Sequence, residues 1–366
     1  MYQPKIIIDC HIPYIKGVLD RMARVEYIPG NEIDRQAVSQ ADALIIRTRT
    51  HCNAALLEGS KVHFIATATI GYDHIDTEYC HRHHIAWTNA AGCNAASVAQ
   101  YLLSALTAYS TAHRYLLPGK CLGVVGVGNV GTKVARIGEA LGMRVLLNDP
   151  PRADREGEKG FVPLDTLVEE ADIITFHTPL AEEGVYKTFH LADAAFFDKL
   201  KKKPLIINSS RGEVVDNAAL CRALETGKVR DAIIDCWENE PHPLESLLAK
   251  AFIATPHIAG YSADGKANGS RMSAEAVARF FNLPALQKTI APPPPPCPVI
   301  DYQSFEATIL HTYPILDDSH RLKSDPSAFE HLRNHYPLRR EARAFTLRNV
   351  PMQESTLLKS LGFQCI

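Results

Sequence analysis

Short apolar runs alternate with stretches of helical period along most of the chain. Lys5–Asp9, Ala43–Arg47, Val62–Ala68, Cys121–Val125, Arg144–Asn148, Asp172–Phe176, Pro204–Asn208, Asp231–Asp235 and Ala251–Thr255 read as strands. Between them, Ala95–Ala108, Asn129–Leu141, Leu164–Glu170, Asn217–Thr226 and Ala263–Phe281 repeat apolar positions at three- and four-residue spacing, the mark of a buried helical face. The strands are near-continuous Val/Ile/Leu runs rather than alternating ones, as expected of parallel strands covered on both faces. The pattern predicts an α/β fold of doubly wound parallel sheets.

Two boundaries break this pattern. The long helix Ala95–Ala108 separates a first strand-helix set from a second that opens at Cys121. The run APPPPPCP, Ala291–Pro298, cannot be helix or central strand and predicts a stiff extended linker. The doubly wound body is expected to end near Pro284, and the tail to be a small appended α+β module. Within it LRNHYPLRRE concentrates Arg333, Arg339 and Arg340, which read either as a solvated helix face or as cations serving another subunit's substrate site.

Composition narrows the class. With 366 residues there is room for two or three domains. A formal net charge of -2 gives no global attraction to nucleic acid or to an anionic membrane. No apolar stretch approaches the ~20 residues of a membrane span. The start MYQPKIIIDC lacks the apolar core of a signal peptide, and a cytoplasmic protein is expected. Nine scattered cysteines without a C-x-x-C pair predict free thiols rather than disulfides or zinc. CHRHH, Cys80–His84, crowds possible ligands but lacks a second pair, and reads as an exposed element end.

The chemistry starts at GVGNVG. Gly126, Gly128 and Gly131 follow a strand and open a helix with Asn129 and Val130 at its first turn. In such a loop the glycines allow the turn, the approach of a pyrophosphate and close helix–strand packing, and the helix N-terminus offers N–H groups and a positive dipole. Asp149 ends the next strand eighteen residues after Gly131, at the distance of an acid that binds the adenosine ribose and repels a 2′-phosphate. NAD is therefore favoured over NADP, with Arg152 nearby as the opposing signal.

Four stretches then fall at the carboxyl ends of later strands, where ligands bind in open α/β sheets. FHTPL brings Thr178 to the adenosine side; NSSRGEVVD brings Ser209 and Arg211; DCWENEP brings Asp235 and Glu240; TPHIAGYS brings His257. Taken singly, these are as easily a surface arginine, solvated acids and a packed imidazole. Together they are what hydride transfer from a 2-hydroxy acid needs. A histidine takes the hydroxyl proton, an acid on the far ring nitrogen fixes the tautomer, and a guanidinium holds the substrate carboxylate.

The glycine loop, Arg211, Glu240 and His257, in that order, resemble the D-isomer-specific 2-hydroxyacid dehydrogenases. ADALIIRTRT, ATATIGYDHID, AAGCNAASVAQY, DPPRAD, DIITFHTPL, RGEVVDNAAL, PHIAGYS and GKANG carry the same resemblance, together spanning Lys5 to about Phe281. It implies a Rossmann NAD domain over residues 95–263 and a flavodoxin-like substrate (lid) domain from residues 1–94 plus about 264–290. Residues 291–366 would be an α+β dimerisation domain of a homodimer. Arg211, Glu240 and His257 are implied as catalytic, and Asp149, Thr178, Asp235 and Gly260 as NAD contacts. Thr48, Thr69 and Tyr261 are implied as contacts of a phosphorylated 2-hydroxy acid; RTRT, Arg47–Thr50, supplies the hydroxyls, amides and cations a phosphate needs. A sister dehydrogenase acting on phosphoglycerate, hydroxypyruvate or glyoxylate, and a non-catalytic NAD-sensing scaffold, remain alternatives. A formate dehydrogenase is disfavoured by the acidic Glu240 where a glutamine is expected.

Overall fold

A computed structural model describes residues 3–366. The chain divides into two compact units: one runs to Asn94 and is completed by Ser262–Pro293, the other joins Ala95–Tyr261 to Pro294–Ile366.

The first unit is built on five parallel strands, β1 (Lys5–Asp9), β2 (Arg24–Ile28), β3 (Ala43–Ile46), β4 (Phe64–Thr67) and β5 (Ala86–Asn89), ordered β2-β1-β3-β4-β5. This is the flavodoxin-like order. The inner strands are buried almost throughout, so they read clearly as apolar runs. The edge strands RVEYI and AWTN are half exposed and carry polar residues, so the apolar pattern misses both. Ile6, Ile8 and Ile45 pack on one face against Ala267, Ala274 and Val277 of the helix Ala263–Phe280. Ile7, Leu44, Ile46 and Ile65 pack on the other against Leu56, Leu57 and Tyr79. Helix and sheet approach so closely that a methyl on Gly269 would lie 2.7 Å from the carbonyl oxygen of Ala68.

The second unit has six parallel strands, β6 (Cys121–Val125), β7 (Arg144–Asn148), β8 (Ile173–Phe176), β9 (Leu205–Asn208), β10 (Asp231–Ile234) and β11 (Ile253–Ala254), ordered β11-β10-β9-β8-β6-β7. The chain runs outward from β6 to β7 and then back past β6 to β8. β6 is thus the topological switch point, where a ligand site forms at the strand ends. The helix Ala95–His113 is buried over most of its length, as a helix apolar on nearly every side must be.

The tail does not stand apart from this second unit. Its strands β12 (Val299–Asp301), β13 (Thr346–Arg348) and β14 (Gln364–Cys365) form a parallel three-stranded sheet in that order. Ile309, Phe345, Leu347 and Leu358 share one apolar cluster with Leu103 of the long helix. Hydrogen bonds join the same surfaces: Ser97 Oγ to Glu341 Oε1 (2.9 Å), Gln100 Nε2 to the Arg340 carbonyl (2.9 Å) and Ser104 Oγ to the Tyr313 carbonyl (2.6 Å). All nine cysteines are free thiols. CHRHH is the exposed end of the helix Thr77–Arg82, with His81 to His84 exposed and only Cys80 buried. Among the described residues no helix is long and apolar enough to cross a membrane.

Candidate active site

The glycine loop connects β6 to the helix Asn129–Ala140. Gly126 has φ +84° and lies so close to the His177 backbone that a methyl would sit 2.8 Å from its carbonyl carbon. Gly128 caps the helix, and a methyl there would meet nothing within 4 Å. That open space lies over the positive end of a twelve-residue helix, where an anion is stabilised. Asp149, at the end of β7, is tied to the loop: Oδ2 accepts the Val127 amide (2.8 Å) and Oδ1 the Arg152 amide (3.0 Å).

Arg152, the residue that left NADP open, is already engaged. Its Nη1 donates to the Val127 carbonyl (2.6 Å) and its Nη2 pairs with Glu156 Oε2 (2.6 Å). Hydrogen bonds from Arg152 and Arg155 pull Glu156 down to about 2. A 2′-phosphate would therefore have to compete with a formed ion pair. Thr178 Oγ1 and Ser209 Oγ are buried and have no hydrogen-bond partner among the described residues. An open cradle at a helix N-terminus, an acid beside it and two unpartnered hydroxyls fit a dinucleotide without a 2′-phosphate.

Arg211, Glu240 and His257 stand on the loops after β9, β10 and β11. Arg211 precedes Gly212, where a methyl would lie 2.0 Å from the Trp237 carbonyl carbon; only glycine lets the two loops touch. The Arg211 side chain is exposed, donates to the Ser210 carbonyl (2.8 Å) and has no carboxylate at ion-pair distance among the described residues.

Glu240 and His257 form a dyad. His257 Nδ1 lies 3.0 and 2.9 Å from Glu240 Oε1 and Oε2, and the Trp237 amide donates to Oε1 (3.0 Å). Burial raises the Glu240 carboxyl, but the His257 hydrogen bond and charge, the Trp237 amide and the Arg333 guanidinium together hold it below the ordinary carboxylate range. An ionised acid on Nδ1 fixes the tautomer that keeps a proton there and leaves Nε2 an acceptor in the neutral ring. His257 has φ +56°, in the left-handed region that few residues other than glycine occupy.

Asp235 imposes that conformation. It is 1% exposed, and its carbonyl accepts the His257 amide (2.8 Å). Its carboxylate accepts the Ile258 and Ala259 amides (2.8 and 2.9 Å) and the Thr255 hydroxyl (2.7 Å), to which Tyr101 in turn donates (2.8 Å). Asp235 thus organises the histidine loop, a role its expected NAD contact did not foresee. Trp237 adds a bond from its indole N–H to the Thr255 carbonyl (2.9 Å). Cys236 lies within 4.8 Å of the dyad's ligating atoms. Burial and then the Asp235 and Glu240 charges push its thiol well above the ordinary value, which keeps it a neutral filler.

The basic stretch of the tail lies against this same loop. Arg333 donates from Nε to Tyr261 Oη (3.1 Å) and reaches to 3.7 Å from Glu240 Oε2. Arg339 is 5% exposed and donates to the Ala259 carbonyl (2.5 Å). Arg333 is half-buried and Arg339 buried, so neither lies on a solvated face. Gly260, between these two contacts, is half-buried.

In the first unit, Thr48 and Arg49 are exposed at the end of β3. The rest of RTRT is structural: Arg47 Nε pairs with buried Asp9 (2.8 Å) and Thr50 donates to the Gly30 carbonyl (2.8 Å). Thr69 donates to the Gly71 carbonyl (2.9 Å), so it accepts from Thr67 (2.6 Å), which in turn accepts from His74 Nε2 (3.0 Å). Burial lowers the pKa of His74, consistent with a neutral ring at the head of this relay.

Residues 96–259 match the family of D-isomer specific 2-hydroxyacid dehydrogenases, NAD binding domain, and residues 298–362 match a domain of unknown function. The chain is 54% identical to the erythronate-4-phosphate dehydrogenase of Bacteroides thetaiotaomicron, over 94% of this chain and 99% of that one. It is 44% identical to the enzyme of that name from Porphyromonas gingivalis, over 98% and 99%. Among solved structures, the apo D-mandelate dehydrogenase of Rhodotorula graminis has the same fold, with a TM-score of 0.64 at 24% identity over 80% of this chain and 99% of that one.

Proposed function

The chain belongs to the erythronate-4-phosphate dehydrogenases, within the D-isomer specific 2-hydroxyacid dehydrogenase family, and from that premise we propose how its residues divide the reaction. The activity is the NAD-dependent oxidation of 4-phospho-D-erythronate to (R)-3-hydroxy-2-oxo-4-phosphooxybutanoate, a step toward pyridoxal 5′-phosphate.

His257 Nε2 takes the C2 hydroxyl proton. Glu240 keeps Nδ1 protonated and stabilises the imidazolium that forms. Arg211 holds the substrate carboxylate and polarises the C2 oxygen as it becomes a ketone. NAD supplies the acceptor for the electron pair that leaves C2 with its hydrogen. Its contacts are Gly126, Gly128, Asn129, Val130 and Gly131 at the pyrophosphate, Asp149 at the ribose, and Thr178, Ser209, Asp235 and Gly260 further along the strand ends. Thr48, Thr69 and Tyr261 are the proposed substrate contacts; the exposure of Thr48 and the position of Tyr261 four residues beyond His257 support them.

One observation carries this reading: the ionised Glu240 that holds His257 by Nδ1. A scaffold that only sensed NAD would have no use for a histidine fixed in a strained backbone with one nitrogen reserved. The test is a substrate panel, assayed as 2-keto reduction and as oxidation coupled to a keto-acid acceptor. Phosphoerythronate is expected to exceed phosphoglycerate in kcat/KM for oxidation, and its 2-oxo product to exceed hydroxypyruvate and glyoxylate in kcat/KM for reduction; the reverse order would refute the substrate assignment.

The enzyme is proposed to act in the cytoplasm as a homodimer associating through the C-terminal domain. Nine free cysteines support a reducing compartment. Sedimentation of the full chain checks the assembly, and a monomer at micromolar concentration would refute it.

A further inference from the structure

The C-terminal domain reaches the catalytic dyad with a single charged side chain. Arg333 stands in the last turn of the helix Phe329–Asn334. Its Nη1 is 3.7 Å from Glu240 Oε2, the oxygen that lies 2.9 Å from His257 Nδ1. That separation is too long for a hydrogen bond and short enough for a direct charge contact in a half-buried setting. Its Nε is fixed by the Tyr261 hydroxyl (3.1 Å), and its guanidinium carbon lies 5.8 Å from the centre of that ring. Arg333 therefore joins the carboxylate behind the histidine to the tyrosine that follows it.

A second arginine of the same domain sets the backbone between those points. Arg339 is buried against the rings of Tyr313 and Tyr336, 4.3 and 5.7 Å from their centres. Its Nη2 donates to the Ala259 carbonyl, while Nε and Nη1 find no partner among the described residues. Ala259 is then held from both sides, by Asp235 at its N–H and by Arg339 at its carbonyl. Tyr336 is itself anchored by donating to Asp318 (2.6 Å), and its ring meets that of Tyr261 edge-on at 6.2 Å.

We infer that Arg333 is a positioning residue for the Glu240–His257 dyad, so that the C-terminal domain completes the catalytic site of its own chain. The inference rests on the assignment of His257 as proton acceptor. Arg333 adds its charge to the contacts that hold Glu240 ionised and aimed at Nδ1, and it ties that carboxylate to Tyr261. The groups facing Glu240 are His257, the Trp237 amide and Arg333, with the neutral thiol of Cys236 alongside.

The test compares Arg333→Met, which keeps the length and removes the charge, with Arg333→Lys, using full-length enzyme, NAD and phosphoerythronate. For Arg333→Met, kcat is expected to fall about ten- to a hundredfold, the loss that follows small misplacements of a catalytic group. The acid limb of its pH–rate profile should move to higher pH, because the coupled pair loses a cation that favours its carboxylate. Arg333→Lys should restore part of kcat and move the acid limb back, while KM for NAD stays unchanged in both. An unchanged kcat and profile, or a raised KM for phosphoerythronate with kcat intact, would overturn the inference; the second outcome would make Arg333 a substrate contact. Should Arg333→Met fail to fold, Arg333→Lys alone decides, since a lysine at 3.7 Å retains charge but not the fork to Tyr261. His257→Asn run in parallel separates the premises: turnover surviving there would refute the dyad itself, whereas its loss beside an unaffected Arg333→Met would refute only the role of Arg333.

Discussion

A methyl group on Gly131 would lie 1.9 Å from the carbonyl oxygen of Gly126. The first helical turn is thus in contact with the backbone of the loop it closes. Gly128, three residues earlier, has no neighbour within 4 Å in the same direction. Two glycines of one motif therefore answer to different demands, one to packing and the other to space for a ligand.

This difference is measurable. Gly131→Ala is expected to lower stability by about 3 kcal/mol or more, because neither backbone can yield to such an overlap. Gly128→Ala should leave the melting temperature nearly unchanged and weaken NADH binding by about tenfold or more. Equal losses of stability in the two variants would contradict this division.

His257→Asn should abolish turnover, by about 10²–10⁴-fold, with every substrate in both directions. NADH affinity, read by fluorescence titration, should stay within about twofold of the original. Measurable activity would mean that another group carries the proton.

Arg211→Lys keeps the charge and loses the planar fork. It is expected to raise KM for the hydroxy acid and lower kcat together, with kcat/KM down by about 10²-fold, and Arg211→Met should lose more. Steady-state kinetics on both variants checks this; a lysine enzyme as active as the original would remove Arg211 from the carboxylate.

The sheet interiors were legible because parallel strands buried on both faces leave unbroken apolar runs. β2 and β5 were not, since edge strands share the composition of loops. That the glycine loop, Asp149, Arg211, Glu240 and His257 fall at strand ends was legible from their order along the chain. What could not be read was support that comes from far along the chain. Tyr101 reaches Asp235 through Thr255, and Arg339 reaches Ala259, across separations no local pattern records. The arginines of LRNHYPLRRE were visible as a cluster, but nothing in their spacing says that they turn inward. The open half of RTRT could not be told from its structural half, because pairing with Asp9 and Gly30 is decided by the sheet.

Acid should weaken the fold through His177. Although the residue is partly exposed, its Nδ1 is buried without a partner among the described residues, and burial pulls its pKa from 6.5 down to about 3. Below its ordinary pKa the unfolded chain binds a proton that the folded chain refuses. The stability associated with the neutral ring is complete above that value and is lost as pH falls toward the folded one, at about 1.4 kcal/mol per pH unit. Urea unfolding across this window should give His177→Gln a flatter pH dependence than the original; parallel curves would assign the acid sensitivity elsewhere.

Neither unit is made from one continuous stretch of chain. The first waits for Ser262–Pro293, and the second takes Phe345 and Leu347 into a cluster with Leu103, more than two hundred residues upstream. On the ribosome, the residues proposed to bind nucleotide or move a proton emerge well before the last of the packing that surrounds them. A chain that stopped short of Phe345 would leave the flank of its long helix at Leu103 without the apolar partners that cover it.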